Sequence, residues 1–205
     1  MHPARKILVF VFVFSAFAGG AVFMYLATQG ARQQPVAATI LPAPAALPTL
    51  SLIDDSGSIF TNADLQDGWQ VVFFGFTHCP DICPATLQQL ALARKRVVDA
   101  GSQFPEIILV SVDPERDSPE VLQRYVSNFG DGVRGITGPL EEIRKLTSAV
   151  GIFFEKAGDI NGEYTVDHSA AVLLIDDHGD WHSLFSAPHD VDNFVHDIPL
   201  LTGDG

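Results

Sequence analysis

Residues 69–101 read WQVVFFGFTHCPDICPATLQQLALARKRVVDAG, and three patterns follow one another in that stretch. WQVVFFGF (69–76) is a continuous apolar run rich in Val and Phe, which predicts a strand buried on both faces. From Pro84, the apolar residues Leu87, Leu90, Ala91, Val97 and Val98 recur at helical spacing, and Gly101 follows as a stop. The segment predicts a helix over 84–101. Between strand and helix stand Cys79 and Cys83, the only cysteines of the chain, each followed by a proline. The prolines are expected to keep both cysteines out of helical backbone and to delay the helix until Pro84. A turn of this kind lies outside the carboxyl end of a strand, where α/β sheets bind their ligands. A helix N-terminus also favours a thiolate.

Working outward, strands and helices alternate. EIILVSVD (106–113) reads as a second buried strand, and helices are predicted over 118–130 and 139–151. Ser118 is the expected N-cap of the first, with Pro119 behind it, and acids open the second. IFFEKAG and EYTVDHSAAVLLID flank an Asn161-Gly162 turn and predict a hairpin. WHSLFS (181–186) is a further strand and VDNFVHDIPLL (191–201) a closing helix. Upstream, LSLIDDSGSIF (50–60) predicts a small hairpin. The fold class is α/β, a central mixed β-sheet flanked by helices, in one domain over 50–205.

Before residue 50 the composition changes. Residues 28–49 hold four prolines and no period, as expected of a semi-extended Pro/Ala-rich linker. Residues 7–27 are uncharged and apolar, 21 residues that would span about 30 Å as a helix. The stretch is longer than the apolar core of a cleaved signal sequence, so an uncleaved transmembrane anchor is expected. Arg5 and Lys6 keep residues 1–6 in the cytoplasm and place the domain on the periplasmic, extracytoplasmic side of the inner membrane. Past residue 48 there are 9 basic against 25 acidic residues, a formal charge of −16. That balance excludes nucleic acid as a partner and favours a cation or a basic protein face.

The cysteine pair has three readings. A structural disulfide would close a loop of about five residues, worth roughly 2 kcal/mol in chain entropy. A thiol–disulfide redox couple suits the position, although three residues intervene where thioredoxins have two. A metal site needs a third donor, and thiolate with imidazole suits copper or zinc. Both methionines, Met1 and Met24, precede the domain, so the third donor is a histidine or a carboxylate. His178, His182, His189 and His196 stand in polar surroundings. His78 adjoins Cys79, with its ring expected to point away from the metal. His168 differs, because an Asp-His pair at the entry to an apolar strand is unexpected. Asp81 and Asp167 are candidates to tune the site from outside, with His78. Asp113, Arg116 and Asp117 are expected to shape a strand-to-helix turn.

FFGFTHCPDICPATL, SVDPERDSPEVLQRY and EYTVDHSAAVLLID, in this order, closely resemble the Sco/SenC family over about residues 50–200. The resemblance implies a membrane-anchored, thioredoxin-like copper-binding protein that assists assembly of cytochrome c oxidase. It implies that Cys79, Cys83 and His168 bind copper, as Cu(I) or Cu(II). The expected partners are the copper-receiving subunit of the oxidase, with its binuclear copper site, and other copper carriers. Thioredoxin-like oxidoreductases carry a cis-proline where this chain reads Asp-His-Ser-Ala, so a metallochaperone is favoured over an enzyme. A thiol–disulfide reductase acting on the oxidase subunit's cysteines and a copper or redox sensor are the alternatives.

Overall fold

The computed structural model describes residues 14–15, 17–21, 34–160 and 163–203. The chain divides into two units, Met1–Gln34 and Pro35–Gly205. Residues 14–15 and 17–21 of the first are helical, and the span expected over 7–27 lies largely outside the described residues. No helix among the described residues is long and apolar enough to cross a membrane.

The second unit runs β1 (Thr39–Ala46), β2 (Leu52–Asp54), β3 (Ile59–Phe60), β4 (Gln70–Gly75), α1 (Ile82–Asp99), β5 (Glu106–Ser111), α2 (Pro119–Val126), β6 (Val133–Thr137), α3 (Leu140–Ala149), β7 (Phe154–Ile160), β8 (Glu163–His168), β9 (Val172–Ile175), β10 (Asp180–Phe185) and α4 (Val191–Thr202). Eight strands form one sheet in the order β1-β10-β9-β4-β5-β6-β2-β3, while β7 and β8 make a separate two-stranded sheet. The centre, β4-β5-β6, is parallel. β9 joins it antiparallel to β4, which makes the sheet mixed as the pattern predicts.

Helices cover both faces because alternate residues of the central strands point opposite ways. Gly75 faces Cys83 of α1 on one face, with Phe73 and Leu109 beside it. Gly135, paired with Leu109, receives Leu122 of α2 on that same face. On the other, Val72, Phe74, Ile108 and Val110 share an apolar space with Leu146 of α3. Every residue of β4 is buried, which is why its sequence shows no alternation. Ser118 caps α2 as expected, accepting from the Val121 amide at 3.4 Å.

Three boundaries differ from the sequence expectation. Of the segment expected as linker over 28–49, residues 39–46 are a strand, β1, paired with β10 at the sheet edge. Pro42 and Pro44 fall where the pairing register breaks, between Ile40 and Ala45, so neither has to donate to the ladder. Just before β1, the carboxylate of Asp197 on α4 accepts the amides of Val36, Ala37 and Ala38 at 2.8–2.9 Å. The folded unit thus begins near Pro35 rather than at residue 50. Second, α1 starts at Ile82, which puts Cys83 and Pro84 inside its first turn. Proline is tolerated there because first-turn amides have no helical acceptor. Third, β8 stops at His168, where Ser169 donates its amide to the Phe153 carbonyl (2.9 Å), and the chain then crosses to β9 in the main sheet. β8 exposes Thr165 and Asp167 around buried Val166, a one-sided strand. VLLI of β9 is buried throughout and belongs in the covered sheet.

Candidate metal centre

The cysteine loop leaves the carboxyl end of β4 and is pinned at once by the Cys79 amide, which donates to the Phe76 carbonyl (3.3 Å). Asp81 is the N-cap of α1 by position, although its side chain makes no capping bond. Cys83, at the second helical position, is fully buried. It fits because Gly75 has no side chain, since a β-carbon there would lie 2.9 Å from the Cys83 sulfur. The Cys83 amide donates to the sulfur of the half-buried Cys79, at 3.5 Å. The two thiols are therefore unlike. Burial, above all, pushes the Cys83 thiol well above its ordinary pKa, and the neighbouring Cys79 adds to the rise.

His168 reaches the pair from the end of β8. Its Nε2 lies 3.3 Å from the Cys83 Sγ. Its Nδ1 is 3.0 Å from the Ser169 carbonyl, an oxygen that only accepts, so Nδ1 carries the proton and Nε2 a lone pair. Burial, the largest influence, lowers the His168 pKa and keeps the ring neutral, against smaller opposing effects of Ser169 and Asp167. The rings of Phe73 and Phe76 stand edge-on to the imidazole, with centroids 6.1 and 5.9 Å away. The Sγ atoms of Cys79 and Cys83 and a ring nitrogen of His168 all lie within 4.8 Å of one another. Bonds of about 2.3 Å from sulfur and about 2.0 Å from nitrogen hold two ligand atoms about 3.5–4 Å apart around one ion. The three candidate donors thus need shifts of no more than about 1.3 Å in their separations to close on an ion. Two soft sulfurs and an imidazole are the donor set of copper or zinc rather than of calcium or magnesium.

The other candidates stand outside this cluster. His78 is exposed, and its Nδ1 lies 3.0 Å from Thr77 Oγ1 and 3.8 Å from the buried Asp117. Asp81 is exposed at the helix cap. Asp167 is exposed on β8, opposite Glu155, and reaches the site only through its charge on His168. His189, which the sequence places in polar surroundings, is half-buried: its Nε2 meets the Ala170 carbonyl at 2.6 Å and braces the link between β8 and β9. SVDPERDS holds more than a turn. Asp113 and Asp117 are fully buried, and with Arg116 they bind Thr77 beside the cysteine loop and Tyr164 on the hairpin. The sequence signal for this network is four charged residues, Asp113, Glu115, Arg116 and Asp117, directly after a buried strand.

The SCO1/SenC family profile matches residues 41–202. A protein of Stutzerimonas stutzeri is 33% identical over 162 residues, which are 79% of this chain and 79% of its own. Protein SCO1 homolog 1, mitochondrial, of Arabidopsis thaliana is 34% identical over 145 residues, 71% of this chain and 43% of that longer relative. The crystal structure of Arabidopsis thaliana ScoI with copper bound is similar in fold at a TM-score of 0.72 and 32% identity, covering 77% of this chain and 98% of that one. The motifs, the mixed sheet and a profile match over most of its length agree, and the chain belongs to the SCO1/SenC family.

Proposed function

We propose that this protein is a membrane-anchored copper chaperone. In this reading Cys79, Cys83 and His168 hold a copper ion for the copper-receiving subunit of cytochrome c oxidase. The observation that carries it is the convergence of two sulfurs and a neutral imidazole nitrogen within 4.8 Å. The copper-bound plant relative supports the metal, and the family resemblance supports the destination. The apolar residues 7–27 are the anchor, with Arg5 and Lys6 on the cytoplasmic side. Binding copper displaces the thiol protons, and ligand exchange with the acceptor's own donors releases the ion. Oxidation of the pair to a disulfide removes two ligands, two protons and two electrons together, so the loaded state requires reduced thiols.

Copper titration of the reduced full chain in mild detergent tests the assignment. The parent is expected to bind one copper, and a thiolate-to-Cu(II) charge-transfer band should appear. Cys83→Ala and His168→Ala should each bind markedly more weakly. Parent-like affinity in either variant would show the ligand set to be wrong.

One feature favours a second reading, in which the pair reduces a disulfide of the oxidase subunit. Cys79 is half-buried at a helix N-terminus while Cys83 is buried behind it, an asymmetry that suits an attacking and a resolving thiol. His168→Ala separates the two. It abolishes copper delivery but leaves thiol exchange largely intact.

A further inference from the structure

The three donors come from two different sheets. The cysteines follow β4 of the main sheet, whereas His168 ends β8 of the two-stranded sheet. The Cys83–His168 distance therefore depends on whatever holds one sheet in register with the other. The loop between β5 and α2 touches both. Towards the cysteines, the buried Asp117 accepts from the Thr77 amide (3.0 Å), the Thr77 hydroxyl (2.6 Å) and the Ser111 hydroxyl (2.6 Å). Thr77 lies two residues before Cys79.

Towards the hairpin the same loop sends Arg116. Its guanidinium carbon lies 3.8 Å from the centre of the Tyr164 ring, and its Nη1 donates to the Tyr164 carbonyl at 3.0 Å. Its Nε donates to Asp113, whose other oxygen accepts the Tyr164 hydroxyl at 2.8 Å. Arg116 also lies 5.7 Å from the centre of the Phe76 ring, the ring that stands edge-on to His168. Its remaining nitrogen, Nη2, is buried without a partner. Such an arrangement carries a desolvation cost, and stability alone does not explain it. The hairpin also packs Phe154 and Val166 into the core, with Arg144 over the Phe154 ring, and the loop's one further ion pair with it among the described residues, Lys156 to Glu115, joins exposed side chains and contributes little.

We propose that Arg116 is a positioning residue of the metal centre. Through Tyr164 it sets the placement of the β7–β8 hairpin over the cysteine loop, and so the Cys83–His168 separation. The inference rests on the copper reading above. It requires the planar fork of arginine, because one guanidinium binds Asp113 and the Tyr164 carbonyl while stacking on the ring. An ammonium keeps the charge but lacks that geometry.

The test compares Arg116→Lys and Tyr164→Phe in two backgrounds, parent and His168→Ala, using the reduced full chain in mild detergent. Cu(I) affinity is read by competition with a chromogenic chelator, Cu(II) absorption reports the ligand set, and the alkylation rate of the thiols reports the cysteine loop. In the parent background each variant is expected to weaken copper binding about 10- to 100-fold. The Cu(II) spectrum should move towards that of His168→Ala, and alkylation should stay at the parent rate. In the His168→Ala background neither variant should weaken binding further. Parent-like affinity for both variants overturns the proposal, as does an equal loss in both backgrounds, which marks a general structural effect. Should Arg116→Lys fail to fold, Tyr164→Phe, which removes one hydroxyl, decides alone. If His168→Ala itself binds copper as tightly as the parent, the ligand assignment fails, and that result is distinct from a failure of Arg116.

Discussion

Gly75 is the point at which the main sheet gives way to the site. A β-carbon there would stand 2.9 Å from Cys83 Sγ, 3.0 Å from Phe73 and 3.2 Å from Leu109. None of the three can retreat, since all are fully buried. Gly75→Ala is therefore expected to cost about 1–3 kcal/mol through overpacking and to push the Cys83 sulfur away from His168. Thermal unfolding should show a lower midpoint, and copper titration a weaker site at temperatures where the variant is still folded. If affinity is unchanged, the sulfur has more room than the structure gives it. The chemistry of single residues was legible in the sequence to different depths. The two cysteines announce themselves by number and place, and the family resemblance singles out His168. Nothing local reveals that Cys83 is buried and Cys79 is not, because that follows from α1 starting two residues before Pro84 and turning Cys83 onto Gly75.

β4 and β5, as unbroken apolar runs, and the helices, by their period, lie within a few residues of where their patterns place them, because burial on one or two faces writes itself into the sequence. β1 does not, because TILPAPAA has no pattern of its own. Its order comes from pairing with β10 and from α4, contacts 134 to 161 residues distant in the chain. The Asp197 carboxylate makes that junction. It is fully buried and accepts three amides and the His196 imidazole (2.7 Å). Burial alone would raise its pKa, but the bonds from His196 and from Val36, Ala38 and Ala37 outweigh it and hold the value below the usual carboxylate range. A group depressed in this way adds stability above its unfolded pKa of about 3.9, and that stability is lost as pH falls through the folded value. Asp197→Asn is expected to lose about 1–3 kcal/mol at pH 6, and the gap to the parent should narrow as pH drops below about 4. Urea unfolding at the two pH values measures it, and a gap that widens in acid would contradict the sign. Proteolysis in residues 36–46 should rise with the same substitution.

At the scale of the whole molecule, the parallel core opens its carboxyl ends towards the cysteines, as doubly wound sheets do. The third candidate donor, His168, comes from a hairpin inserted between α3 and β9. Net charge and fold class are legible in the sequence, and a formal charge of −13 overall disfavours nucleic acid. The separate sheet was not visible, because the run EYTVDHSAAVLLID carries no mark at the point where β8 ends and β9 begins. That division has a kinetic meaning. A two-stranded ladder is marginal by itself, so it opens at a lower free energy than the strands it adjoins. Amide hydrogens of residues 163–168 are expected to exchange with solvent orders of magnitude faster than those of β4 and β5, and equal protection would contradict this. On the copper reading proposed above, an ion held by three ligands, one of them on the part that opens, loses that ligand without global unfolding. On that reading the barrier to releasing the ion is set by a local fluctuation of the β7–β8 hairpin, and a protein durable as a fold is labile as a carrier.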